Sequence, residues 1–233
     1  MATLSYSARR ADLNTYFDRT AVEAWRRLTS DAPVGRVRAT VRAGRDEMRA
    51  TLLSWLPADL RGARLLDAGC GTGALAVEAA RRGADVLAID VSPNLVNLAI
   101  ERAPKDLGAG KVTFAVGDML DAGHGAFDFA VAMDSLIHYE GADIALAVGA
   151  LALRVRQAIL FTVAPRTPAL SVMHAVGKWF PRADRPPAIV PIGGADLARR
   201  LSADPDLAGW RQARTHRVSR GFYVSEAVAV TRR

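Results

Sequence analysis

Residues 65–73 read Leu65-Leu66-Asp67-Ala68-Gly69-Cys70-Gly71-Thr72-Gly73, and a second apolar run, Val86-Leu87-Ala88-Ile89-Asp90, follows and ends in an acid. The first run predicts a strand that delivers Asp67 into a loop of alternating glycines, with a helix behind it. Glycine has no Cβ, so such a loop turns sharply and lets a ligand approach the backbone closely. A carboxylate at the tip of the next strand is placed to accept hydrogen bonds from a ribose. Together the two runs predict a nucleoside-containing ligand held across the first two βα units.

Outward from this loop, apolar runs and helical patterns alternate. Strands are predicted at Arg64–Asp67, Asp85–Asp90, Val112–Val116, Phe127–Met133 and Ala158–Val163. Helices are predicted at Ala74–Arg82, at Pro93–Arg102 with Ser92 as N-cap, and at Ile144–Arg154. This alternation predicts a doubly wound, mostly parallel sheet, seven-stranded once the tail is added. The tail, Thr215–Val230, has two β-rich runs around Arg220-Gly221 and predicts an antiparallel hairpin. Residues 1–57 read as an amphipathic helical extension that contributes to a substrate site. Its signals are Tyr16, Phe17, Ala21, Ala24, Trp25 and Leu28, then an arginine-bearing helix from Val34 to Leu56 closed by Pro57. Residues 58–233 form the main domain. Within it, 165–193 hold six of the eleven prolines and read as an insertion over the site.

The chain has 233 residues, half of them apolar, and a net charge of +7 spread over many arginines. That describes a globular domain with a basic surface. Cys70 is the single cysteine, so no intrachain disulfide forms and a reducing, cytoplasmic setting is expected. No secretory h-region is evident at Met1–Arg10. The ten-residue apolar run Ile144–Leu153 is too short to span a bilayer. No His/Cys cluster has metal-ligand spacing. Nucleic acid is not the expected partner, because neither a catalytic Asn/Asp-Pro-Pro-Tyr/Phe motif nor a loop cysteine of that kind is present.

The glycine spacing is not the dinucleotide G-x-G-x-x-G, and no Lys-Ser/Thr pair makes a P-loop. An acid ahead of the loop repels phosphate and suits a positively charged amino group. Those requirements fit S-adenosylmethionine, and Leu66–Gly73 resembles the first motif of class I methyltransferases. The resemblance implies a Rossmann-like fold and a cofactor site drawn from Asp67, Gly69, Cys70, Gly71 and Gly73. It adds Asp90 and Val91 at the ribose, Asp118 and Met119 near the adenine, and Met133 and Asp134 beside the sulfonium. In this reading Cys70 is a small residue in a turn, not a nucleophile.

The flanks are more distinctive than the loop. Tyr16-Phe17-Asp18-Arg19-Thr20 with Trp25, Met133–Tyr139, Phe161–Pro165, Gly177–Pro181 and Val218–Tyr223 together resemble the magnesium-protoporphyrin O-methyltransferase family, over residues 14–228. The resemblance implies methyl transfer to one propionate of Mg-protoporphyrin IX in (bacterio)chlorophyll biosynthesis, with the magnesium belonging to the substrate. It implies the magnesium chelatase large subunit as a partner, and peripheral contact with the photosynthetic membrane stays open. His138 and Tyr16 are the implied catalytic residues. A flat, apolar dianion needs an apolar slot with cations at the rim. Tyr139, Arg45, Arg49, Lys178, Arg182 and Arg185 are the candidates to contact it. A class I methyltransferase of another small acid or a quinone precursor is the alternative.

Overall fold

The apolar runs become the central strands because they are buried on both faces. In the computed structural model, which describes residues 4–19, Thr29, 35–166 and 188–233, the elements run α1 (Leu4–Arg19), α2 (Arg36–Ser54), β1 (Arg64–Ala68), α3 (Ala74–Arg81), β2 (Asp85–Asp90), α4 (Pro93–Arg102) and β3 (Lys111–Val116). They continue through β4 (Phe127–Ala132), α5 (Gly141–Ala152), β5 (Val155–Pro165), β6 (Pro191–Ile192), α6 (Gly194–Ala203), β7 (Trp210–Arg220) and β8 (Tyr223–Arg232). The sheet order is β3-β2-β1-β4-β5-β8-β7, with the short β6 pairing beside β5. The first five strands are parallel, and β8 joins β5 antiparallel and carries β7 as a hairpin. The doubly wound, mostly parallel sheet with a C-terminal antiparallel hairpin is therefore the fold observed.

Two apolar clusters cover the sheet. One joins the α5 residues Ile144, Val148 and Leu151 to Leu66, Phe127, Ile159 and Phe161 and includes Tyr6 and Leu13 of α1. The other joins Met48, Leu52 and Leu53 of α2 and Ala76, Ala79 and Ala80 of α3 to Leu65, Val86 and Val131. The small alanines let α3 sit close to the strands. Truncating one of the large buried side chains, such as Phe161, to alanine costs about 3–5 kcal/mol.

The N-cap at Ser92 forms as expected, its hydroxyl accepting from the Leu95 N–H at 3.3 Å. Helix α6 and strand β6 were not signalled by the sequence pattern. Most of the proline-rich 165–193 segment, with Lys178, Arg182 and Arg185, lies outside the described residues, as do Thr20 and Trp25. Among the described residues, no helix is long and apolar enough to cross a membrane.

Candidate active site

The site grows from the carboxyl ends of β1, β2 and β4, where open α/β sheets place their ligands. Gly69 and Gly73 both adopt positive φ, 81° and 78°. Each is also pressed against a neighbour: a Cβ on Gly69 would lie 2.4 Å from the Ser135 Cβ, and one on Gly73 2.7 Å from the Phe114 ring. Glycine is thus required at both for backbone conformation and for space. The loop is tied to β2 by the Gly69 and Cys70 N–H groups, which donate to the Ile89 carbonyl at 2.8 and 2.9 Å.

Asp67 and Asp90 stand on either side of this loop, both buried. Asp90 accepts from the Gly71 N–H at 2.8 Å and from the Ser92 N–H at 3.0 Å. Burial pushes its carboxyl above the ordinary carboxylate range, against those backbone hydrogen bonds. Burial, and then the charge of Asp90, push Asp67 up to about 7, and its Oδ2 has no hydrogen-bond partner. A buried acceptor left open costs free energy unless something fills it. Burial beside the two acids also drives the Cys70 thiol upward, so Cys70 stays protonated and is a poor nucleophile.

A cavity of about 330 Å³ runs from this loop to α2, the size of a small-molecule site. Its acidic side is Asp67 and Asp90, and Val91, Met119 and Met133 add apolar lining. Its basic side is Arg42, Arg45 and Arg49 from α2. Arg45 pairs with Asp134 at 2.7 Å and Arg49 with Asp46 at 2.9 Å. Ser135 also lines the cavity, with a buried Oγ that has no partner.

His138 and Tyr139 both reach the cavity. The His138 Nδ1 lies 3.3 Å from the Ala188 carbonyl. A carbonyl only accepts, so Nδ1 is the donor in this contact. Phe17 packs edge-on against the imidazole, ring centroids 6.0 Å apart.

Among the described residues, three expected site residues do not line the cavity: Gly73, which only closes the loop, and two that sit elsewhere, Tyr16 and Asp118. Tyr16 is half-buried against Phe17, centroids 5.2 Å apart, and is not among the lining residues; Phe17 and Tyr6 of the same helix are. Burial raises the Tyr16 phenol. Asp118 is engaged by α1: its Oδ1 accepts from the Tyr6 hydroxyl at 2.9 Å and from the Leu120 N–H at 2.9 Å, and its Oδ2 pairs with Arg10. Tyr6 stacks on Tyr139 at 4.9 Å. Sequence reasoning passed over Tyr6, Arg42, Phe17 and Ser135 as site residues. Phe17 and Ser135 lie inside the flanking motifs Tyr16–Thr20 and Met133–Tyr139 and Arg42 lies in the arginine-bearing helix, whereas Tyr6 carries no local signal.

The residues present fit S-adenosylmethionine. The open Asp67 Oδ2 suits an ammonium, Asp90 is placed for a ribose, and the glycine loop offers close backbone approach without an anion cradle.

Comparison with known proteins agrees with this geometry. Residues 132–232 match the family model "Magnesium-protoporphyrin IX methyltransferase C-terminus", and 65–157 match a general methyltransferase domain. A magnesium-protoporphyrin O-methyltransferase of Rhodobacter capsulatus is 50% identical over 96% of both chains. A crystal structure of magnesium protoporphyrin IX methyltransferase from Synechocystis with bound SAH superposes with a TM-score of 0.82 at 30% identity, covering 96% of this chain and 99% of that one. A second, with bound SAM, gives 0.77 at 26% identity and covers 97% of each. With half of its residues shared across nearly the full length of a relative, and the same overall fold as the superposed structure, the chain belongs to the magnesium-protoporphyrin O-methyltransferase family of class I methyltransferases.

Proposed function

We propose that the chain transfers a methyl group from S-adenosylmethionine to a propionate carboxylate of Mg-protoporphyrin IX, giving the monomethyl ester. One observation carries the reaction class: one cavity has the acids Asp67 and Asp90 on its glycine-loop side and, on its α2 side, three arginines set against Asp46 and Asp134, which leaves that end net positive. That polarity suits a cationic cofactor meeting an anionic acceptor. The acceptor's identity follows from the relatives, which are magnesium-protoporphyrin methyltransferases.

When bound, the cofactor supplies a methyl group on a sulfonium. Asp67 would hold its ammonium and Asp90 its ribose. A propionate has an ordinary pKa near that of glutamate, about 4.3, so it is ionised at neutral pH. The chain therefore has no strong base to provide. Its task is to aim one carboxylate oxygen and to exclude water, and positioning of this kind can supply about 7–11 kcal/mol. His138, held through Nδ1 and walled by Phe17, is suited to orient that carboxylate in its doubly protonated form, with Nε2–H donating to the oxygen that does not attack. Tyr6, Leu13, Phe17 and Tyr139 supply the apolar wall that keeps the site dry, which weakens solvation of both reacting charges.

The same reading takes in the magnesium chelatase large subunit as the donor of the acceptor, because a flat apolar macrocycle is poorly carried free in water. It also takes in peripheral contact with the photosynthetic membrane, for which the +7 charge offers an anionic-lipid affinity. The test is incubation with radiolabelled cofactor and either Mg-protoporphyrin or metal-free protoporphyrin. Label in the ester of the magnesium form is expected. No label in either acceptor refutes the reading.

A further inference from the structure

Asp134, at the tip of β4, is the one non-glycine described residue with positive φ, at 54°. An aspartate in that conformation is strained unless its surroundings hold it. Three elements do so. The fully buried Thr162 on β5 accepts from the Asp134 N–H at 2.7 Å and returns its hydroxyl to Oδ1 at 3.3 Å. Tyr223 on β8 donates its phenol to the same oxygen at 3.0 Å. Arg45 on α2 binds Oδ2 at 2.7 Å. The Asp134 side chain is 7% exposed and that of Arg45 22%. Both residues line the cavity, while Thr162 and Tyr223 do not. The carboxylate is thus the buried anchor, and the guanidinium is what it holds at the cavity wall.

An arginine held in this way is preorganised, having lost its rotamer freedom before any ligand arrives. Its planar fork matches a carboxylate two-pronged. Arg49, by contrast, pairs with Asp46 of its own helix, whose side chain is 52% exposed. The acceptor named above carries two propionates and only one is methylated. A cation on the attacking oxygen would blunt it, so a fixed guanidinium is suited to the other carboxylate.

We propose that Arg45 reads the acceptor's second, non-reacting carboxylate, and that Tyr223 and Thr162 are positioning residues that act on it through Asp134. The inference rests on the carboxyl-methylation reading. Its test uses the full chain, radiolabelled cofactor and two acceptors. One is a Mg-porphyrin with two propionates and the other an analogue with one propionate replaced by methyl. The readout is the ratio of the two kcat/KM values. Arg45→Met is expected to cut the preference for the diacid about tenfold or more, with Arg45→Lys restoring part of it. Tyr223→Phe, which removes one hydroxyl, is expected to cut the preference several-fold through KM for the diacid, and to add nothing on top of Arg45→Met. It also carries the test if thermal unfolding shows Arg45→Met to be misfolded. Equal losses on both acceptors in Arg45→Met, or a Tyr223→Phe effect independent of Arg45, overturn the inference while methylation by the unmodified chain still stands. No methylation of either acceptor by the unmodified chain overturns the carboxyl-methylation reading itself, and this inference with it.

Discussion

Asp67 concentrates the chemistry of the proposed cofactor side in one carboxyl group. It is buried, Oδ2 has no partner, and desolvation with the nearby charge of Asp90 raises it from 3.8 to about 7. A carboxyl whose folded pKa exceeds its unfolded one favours the folded state fully only below the unfolded value, and that contribution is lost as pH rises through about 7. Binding of a cationic ammonium runs the other way, since it selects the ionised form. Cofactor affinity is therefore expected to climb up to tenfold per pH unit below about 7 and to level off above it. Calorimetry across that range checks this, and Asp67→Asn should both weaken binding and flatten the profile. A slope that survives in Asp67→Asn places the titrating group elsewhere. In the proposed reaction His138 serves the acceptor side, so His138→Ala is expected to lower kcat by about 10²–10³-fold with little change in cofactor affinity. Wild-type turnover in that variant would remove His138 from the mechanism. Asp67 and Asp90 were legible in the sequence because a strand end, a glycine loop and an acid leave few other chemical readings. The choice between Tyr16 and Phe17 was not legible. Adjacent helical residues differ by about 100° in direction, and nothing in Tyr16-Phe17 says which of the two faces a cavity.

Helix α1 is fastened by polar contacts at its N-terminal half. Ser5 donates to Asp143 at 2.8 Å, Tyr6 to Asp118 at 2.9 Å, and Arg10 pairs with Asp118. Asp118 thus holds a wall of the cavity, which is a different task from the adenine contact its place after β3 suggests. If the fastening is its main task, Tyr6→Phe and Asp118→Asn should weaken acceptor binding together and non-additively, with a coupling of about 1–3 kcal/mol in a double-mutant cycle on acceptor KM. Additive effects, or a loss confined to cofactor affinity in Asp118→Asn, would return it to the adenine. The first ten residues are polar in sequence, and the partners of Ser5 and Tyr6 lie more than 100 positions away, so no local pattern marks them. The same limit applies to α6. Its Leu197 and Leu201 are buried by packing against α5, but ten residues between Pro191 and Pro205 carry too short a period to read. β1, β2 and β4 were legible within a residue because double burial demands continuous apolar runs, while β5 begins three residues before the expected Ala158, where exposed Arg156 and Gln157 interrupt the apolar run.

Across the whole molecule, the sheet brings together charges that are far apart in the chain. The acids follow β1 and β2, the arginines come from α2 ahead of them, and the hairpin that fixes Asp134 closes the chain. The sequence shows both charge types, yet their meeting in one cavity depends on how α2 docks. That docking is set by Tyr223, whose ring lies where a Cβ on Gly44 would stand, 2.5 Å away, and by the ion pair of Arg220 with Glu47 at 2.6 Å. The outer strand β7 adds Arg211, Arg214, Arg217 and Arg220 to a surface whose net charge is +7. Such a field draws a dianionic acceptor inward and is screened over about 8–10 Å at physiological salt. Raising ionic strength from about 0.02 to 0.3 M should therefore lower kcat/KM for the porphyrin several-fold, chiefly through KM. The buried contacts of Asp67 and Asp90 are shielded from bulk ions, so cofactor affinity over the same range should move much less. Steady-state kinetics paired with cofactor calorimetry separates the two. Equal salt dependence in both would mean that the cavity's basic and acidic sides are equally open to solvent, contrary to the burial of the two acids at the glycine loop.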